Sequence, residues 1–291
     1  MTTSHPDSRA RLLKLATYAS TSTALLLVGL KAAAWLFSGS VSILASLADS
    51  LTDLAASVFN LFAVRLALRP ADANHAFGHG KAEGLSALAQ SAFIGGSALF
   101  LLLNALNRLM DPEPVQHTGW GIAVMVVSVV MTAALVLFQR YVLKQQASQA
   151  VAADKLHYVT DLLSNSVVLA ALVMAAYGWH QADAWLALLL SLWIGKSVFD
   201  IGRDAVRTLM DQSLPPQEVD AIRSAVSALP AVQGVHDLKT RRSGGTVFVQ
   251  LHIDLDAAMT LEASHQVAKA AAAEVRSLFA DADVLVHTDP V

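Results

Sequence analysis

SILASLADSLTDLAASVFNLFAV, residues 42–64, is apolar for long enough to cross a bilayer, yet it carries Asp49 and Asp53. A second stretch, AADKLHYVTDLLSNSVVLAALVMAAYG at 152–178, has the same character and carries His157 and Asp161. A hydrocarbon core about 30 Å thick takes about 20 apolar residues of helix, so both read as spans. Each polar pair is spaced i, i+4, which puts both side chains on one helical face, one turn apart. Two such faces brought together offer three carboxylates and one imidazole. That is a plausible tetrahedral shell for zinc or a similar divalent ion. Intramembrane carboxylates are costly, face a bundle interior and mark function.

Working outward, six stretches are long and apolar enough to span: roughly 14–37, 41–66, 83–107, 119–142, 148–177 and 183–207. The breaks between them are SGS (38–40), RPADANHAFGHGK (69–81), DPEPVQHTG (111–119), KQQASQ (144–149) and YGWHQAD (177–183). Pro70, Pro112 and Pro114 fall in those breaks, where a missing N–H does no harm. The composition agrees: 55% hydrophobic and only 15% charged, where soluble domains carry about 25%. The net charge of −3 gives no sign of nucleic-acid binding. There is no cysteine, so any metal binds through His, Asp or Glu. The polar, basic start MTTSHPDSRARL does not resemble a cleaved signal peptide.

Lysine and arginine set the orientation. Arg9, Arg11, Lys14, Arg65, Arg69, Lys81, Arg140, Lys144, Lys155, Arg203 and Arg207 flank one side, and Arg108 nearly alone the other. The rich side is expected to be cytoplasmic, with both termini inside. Asp49 and Asp53 then lie about 12–18 Å into the second span at 1.5 Å per residue, with His157 and Asp161 at matched depth in an antiparallel fifth span. Lys31 and Lys196 also fall within spans, expected to snorkel or to line the bundle. No cationic partner for the quartet is evident. A metal-free proton relay is the rival reading of these four residues.

Globular composition begins near residue 212, so the expected division is a six-helix transmembrane domain, 1–211, and a cytoplasmic domain, 212–291. EVDAIRSAVSAL (218–229) places Val219, Ile222, Val226 and Leu229 on one helical face. GVHDLKTRRSGG and TVFVQLHIDLD read as strands joined at Ser243-Gly244-Gly245. TLEASHQVAKAAAAEVRSLF (260–279) is a second amphipathic helix with Thr260 as N-cap, and DVLVHTDP (283–290) a last strand. The order αββαβ implies an α+β sandwich with helices on one face of a mixed sheet.

Two further clusters carry metal-binding side chains. The loop at 69–81 offers Asp72, His75 and His79, either a shallow cytoplasmic metal site or a solvated histidine loop. The tail offers His236, His252, His265, His287 and Asp289, from three strands and one helix. They form either a metal site joining two copies of the domain or scattered surface histidines. His252 shares a strand face with Asp254, as His287 does with Asp289.

GSVSILASLADSLTDLAAS (39–57), NHAFGHGKAE (74–83), AADKLHYVTDLLSN (152–165), RTLMDQSLP (207–215) and LVHTDP (285–290), in this order, resemble the cation diffusion facilitator family, closely its bacterial YiiP (ferrous-iron efflux) branch. The resemblance covers nearly the whole chain. It implies a homodimeric zinc/proton antiporter of the bacterial inner membrane with six spans and a metallochaperone-like tail. Asp49, Asp53, His157 and Asp161 would form the transport site, and Asp72, His75 and His79 a loop site. His236, His252, His265, His287 and Asp289 would hold a binuclear zinc site partly across the dimer. Lys81 and Asp211 would form a charge interlock. Ala73 stands where some relatives have a second acidic residue. The expectation is therefore efflux of Zn²⁺, with Cd²⁺ and Fe²⁺ as further candidate cargoes, and not catalysis. Two alternatives use the same ligands. An intramembrane metallohydrolase needs a general base, and neither an HExxH pattern nor a spare base is present. A passive channel would move metal without protons.

Overall fold

The computed structural model describes residues 6–39, 41–110, 119–177, 179 and 181–291. Most of the expected loop at 111–119, with Pro112 and Pro114, lies outside them, as do Ser40, Gly178 and His180. The described chain divides into two compact units. One joins Asp7–Arg69 to Ala82–Val206, and the other joins Pro70–Lys81 to Arg207–Val291. The loop between the second and third helices thus groups with the tail.

The helical unit contains α1 (Pro6–Ser38), α2 (Val41–Ala67), α3 (Ala82–Met110), α4 (Gly119–Gln145), α5 (Gln149–Ala176) and α6 (Ala182–Leu209). Among the described residues, five of these six helices are long and apolar enough to cross a membrane: α1, α2, α3, α4 and α6. α5 is 28 residues long and carries Asp154, Lys155, His157, Asp161, Ser164 and Asn165 in its first two thirds, ahead of the apolar run from Val167. It is also the central helix, packed on α2, α3 and α4.

The helical unit is apolar outside and holds polar side chains inside its apolar packing. Leu25, Leu26, Phe59, Phe62, Phe100 and Phe199 are exposed, while Ser57, Asn60, Gln90, Gln139 and Asp154 are buried. That is the distribution expected of a lipid-facing bundle, whose interior must satisfy its own polar groups. α1 starts eight residues before the expected span. Its polar first turns are held because Arg9 Nη2 reaches the buried Glu83 Oε1 at 2.9 Å, and Ser148 Oγ donates to Glu83 Oε2 at 2.6 Å. The pair neutralises a carboxylate that would otherwise be stranded.

The second unit contains α7 (Pro216–Ser227), β1 (Gly234–Ser243), β2 (Thr246–Leu255), α8 (Leu261–Leu278) and β3 (Ala282–Pro290), the expected αββαβ order. β2 is central, antiparallel to β1 and parallel to β3. Val247, Val249, Leu251, Ile253 and Leu255 on one face of β2 join Ile222 and Val226 of α7 and Ala271 and Val275 of α8 in one core. The alternate residues Gln250, His252 and Asp254 therefore point to the face without helices. Gly244, at φ 57°, turns the hairpin. Thr260 Oγ1 caps α8 by accepting from Ala263 N at 3.2 Å.

Candidate metal sites

α2 and α5 bring the intramembrane residues together. His157 Nε2 lies 3.1 Å from Asp53 Oδ1 and 3.6 Å from Asp161 Oδ2. It is buried, yet it makes no aligned hydrogen bond. One nitrogen set between two carboxylate oxygens, bonded to neither, has the geometry of a shared ligand. Ligand atoms of Asp53, His157 and Asp161 all lie within 4.8 Å of one another. Asp49, one turn away on α2, lines the same cavity of about 790 Å³ but stands outside that close group. Two carboxylates and one imidazole converge there, with the third carboxylate on the same cavity wall, on a space open enough for a hydrated ion.

The sequence points to no cationic partner for the quartet, and no ion pair to a lysine or arginine is found for it among the described residues, but one cation shares its cavity. Lys31 of α1 lines the same cavity, with Nζ donating to Ser46 O at 3.2 Å and Ser50 Oγ at 2.7 Å. Lys196, in contrast, is exposed on α6. Two further buried residues had no sequence signal beyond their place beside the histidine. Tyr158 hydroxyl bonds Ser57 Oγ at 2.6 Å and donates to Ser20 O at 3.2 Å, pinning α5 to α2 and α1. Asp154 is gripped by Ser20 Oγ and by Gln139 Nε2, the latter at 2.7 Å. Together they fix the rotation of α5 about its axis, and with it the direction of His157.

In the second unit, the loop folds Asp72, His75 and His79 into one group. Asp72 Oδ1 accepts from the N–H groups of His75 and Asn74 at 2.8 and 2.9 Å, an Asx turn that holds its carboxyl below the usual carboxylate range. His79 Nε2 is 3.4 Å from Asp72 Oδ2, and its Nδ1 is buried with no partner. The loop packs on the hairpin. Gly80 sits so close that a Cβ there would meet the Ser243 carbonyl at 2.6 Å. Phe77 meets Phe248 edge-on, with the Arg241 guanidinium over both rings. Lys81 Nζ and Asp211 Oδ1 are 3.0 Å apart. Arg241, which the sequence did not single out, also donates to Asp211 Oδ1 at 3.2 Å. Burial pushes the Asp211 carboxyl up, but the Lys81 and Arg241 hydrogen bonds outweigh it, so the net shift is downward.

On the tail's open face, strand register makes a row. His236 pairs with His252, and His252 with His287, across three strands. His252 Nδ1 is 2.8 Å from Asp289 Oδ2, His236 Nε2 is 3.3 Å from the same atom, and His287 Nε2 is 3.3 Å from Asp289 Oδ1. The His252 hydrogen bond holds the Asp289 carboxyl below its ordinary range, ionised at neutral pH. Asp254, noted in the sequence only for sharing a face with His252, lies 3.1 Å from His236 Nε2. Borderline nitrogens with ionised oxygens suit a divalent transition metal. His265 sits exposed on α8, in the helical layer behind the sheet, and does not join this row within one chain.

Gly234 faces Asp254 across the β1–β2 pair, and a Cβ there would come within 2.1 Å of Asp254 Oδ2. Gly234→Ala is expected to turn that carboxylate away and weaken any divalent-metal binding by the tail about tenfold or more, as loss of a supporting carboxylate does. Zinc titration of the full-length protein checks it; an unchanged curve would separate Asp254 from the site.

Residues 17–210 match the cation efflux transmembrane domain, and residues 214–291 the cation efflux protein cytoplasmic domain. The cation-efflux pump FieF of Klebsiella pneumoniae is 47% identical over 284 residues, covering 98% of this chain and 95% of its own. FieF of Serratia proteamaculans is 48% identical over 281 residues, covering 97% and 94%. FieF of Escherichia coli O9:H4 is 46% identical over 284 residues, covering 98% and 95%. With both of its parts matched in order and nearly every residue aligned to such relatives, the chain belongs to the cation diffusion facilitator family of cation-efflux proteins.

Proposed function

We propose that this multi-pass membrane protein exports divalent metal from the cytoplasm, exchanging Zn²⁺ for protons by alternating access as a homodimer in the inner membrane. The observation that carries the reading is His157 Nε2, buried and unbonded between Asp53 and Asp161 at the centre of a six-helix unit. Relatives of nearly full length are cation-efflux pumps, so the chain is a transporter and not a hydrolase. Asp49 completes the four-ligand set from the same cavity. Zn²⁺ is favoured over harder ions by the imidazole, and Cd²⁺ and Fe²⁺ are compatible with the same set.

Protons enter through the ligands themselves. A metal takes neutral imidazole and ionised carboxylates, so loading expels whatever protons the empty site held. Zinc affinity should therefore fall as pH drops, and an outside more acidic than the cytoplasm should favour release there. The basic flanks argue for cytoplasmic termini and a cytoplasmic tail. In that tail, His236, His252, His287 and Asp289, with Asp254 beside them, would hold resident zinc, which supplies cross-linking rather than transport. His265 fits as a ligand from the partner copy. The loop triad would bind metal at the tail surface, and Lys81 with Asp211 would lock the loop to the end of α6.

Simultaneous recording of zinc and pH in proteoliposomes tests the reading. Zinc movement should drive opposite proton movement, and an imposed pH gradient should drive zinc uphill. Zinc flux with no proton movement would leave a passive channel; no metal flux at all would reject transport.

A further inference from the structure

A lysine within a membrane span requires an explanation, since its charge is costly at bilayer depth. Lys31 does not have the geometry of a snorkelling side chain. Its ammonium is part-buried and tied to two neutral oxygens of α2, Ser46 O and Ser50 Oγ. Ser50 directly follows Asp49, and Asp53 is three residues further on. Lys31 lines the same cavity as Asp49, Asp53 and Asp161. The Ser46 and Ser50 tethers hold the ammonium in the cavity that the three carboxylates line, without engaging the carboxylate oxygens among the described contacts.

We propose that Lys31 is a built-in counter-cation of the transport site, which balances the third carboxylate when metal is bound and weakens metal binding enough to permit release. The reasoning is charge balance. Three ionised carboxylates and one dication leave a single negative charge, and one ammonium cancels it. A loaded site of zero formal charge is the form most easily occluded in a low-dielectric bundle. The same ammonium repels the incoming dication across the cavity. Removing it deepens the metal's well, since like charges at short range in a protein interact strongly. A transporter needs a site that also lets go, and a fixed cation achieves this without changing a ligand.

This proposal rests on the quartet being the transport site. The test is initial zinc flux in proteoliposomes across a range of zinc concentrations for Lys31→Gln, Lys31→Arg and Asp53→Ala. Gln is neutral but can still donate to Ser46 O and Ser50 Oγ, so packing is largely preserved. For Lys31→Gln, KM should fall about tenfold while the maximal rate also falls, because tighter binding slows release. Lys31→Arg should keep the KM of the parent protein. Mere structural damage would lower the rate with KM unchanged or raised. An unchanged or raised KM in Lys31→Gln, with Asp53→Ala at background, overturns the counter-cation role alone. Parent-like flux in Asp53→Ala overturns the site assignment itself.

Discussion

Asp161→Ala is expected to abolish zinc flux in proteoliposomes while leaving the protein folded and dimeric. The expectation rests on what the side chain touches. Its Oδ2 is one of the two oxygens flanking His157 Nε2, and its loss leaves that nitrogen with Asp53 alone. Loss of an outer partner of a metal ligand already costs about 10–100-fold, so loss of the ligand itself should cost about 100-fold or more. The fold should tolerate the change. The bond from Asn165 Nδ2 goes to the Asp161 backbone carbonyl, at 2.9 Å, which alanine retains. The side chain is partly open to the cavity, and among the described residues it holds no neutral donor in place. Asp154 makes an instructive contrast, because Ser20 and Gln139 both depend on its carboxylate. A variant there would confuse folding with function, whereas Asp161→Ala separates them. Near-normal flux, with size-exclusion behaviour like the parent, would show that metal crosses by another route.

Much of this site could be read from spacing. Asp49 with Asp53, and His157 with Asp161, are i, i+4 pairs on helices that length and apolarity alone identify. The tail's row of histidines was half legible. Period two places His252 and Asp254 on one strand face. That His236, His252 and His287 stand side by side depends on register, which is set by the hairpin at Gly244 and the parallel return through α8. Lys31 was visible as a residue but not as a neighbour. It comes from α1, and no periodicity within α1 reports what faces it across the bundle. Arg241 was hidden for the same reason: its partner Asp211 is thirty residues away, brought close only by tertiary packing. His265 illustrates the converse. Its type suggested membership of the tail cluster, but helix and strand layers put it behind the sheet. Short-range pattern gives faces, and tertiary packing decides which faces meet.

The choice of metal should move when His157 is changed to aspartate. His157 supplies the one nitrogen among the ligand atoms that converge with Asp53 and Asp161. Imidazole suits zinc and its neighbours, while an all-oxygen set suits harder ions such as Mn²⁺ and Mg²⁺. The parent protein should therefore move Zn²⁺ and Cd²⁺ and barely Mn²⁺. In His157→Asp the ratio of zinc to manganese flux should fall about tenfold, equivalent to about 1.4 kcal/mol of relative binding. The added carboxylate also leaves a loaded site with one negative charge more than Lys31 can balance, so the absolute rate should drop for both ions. His157→Ala distinguishes selectivity from damage: with three ligands left and no replacement donor, it should lose both metals together. Competition flux with the two ions mixed reads the ratio within one vesicle population. Equal zinc and manganese rates in the parent protein, or an unaltered ratio in His157→Asp alongside active transport, would place the selectivity elsewhere than at this nitrogen.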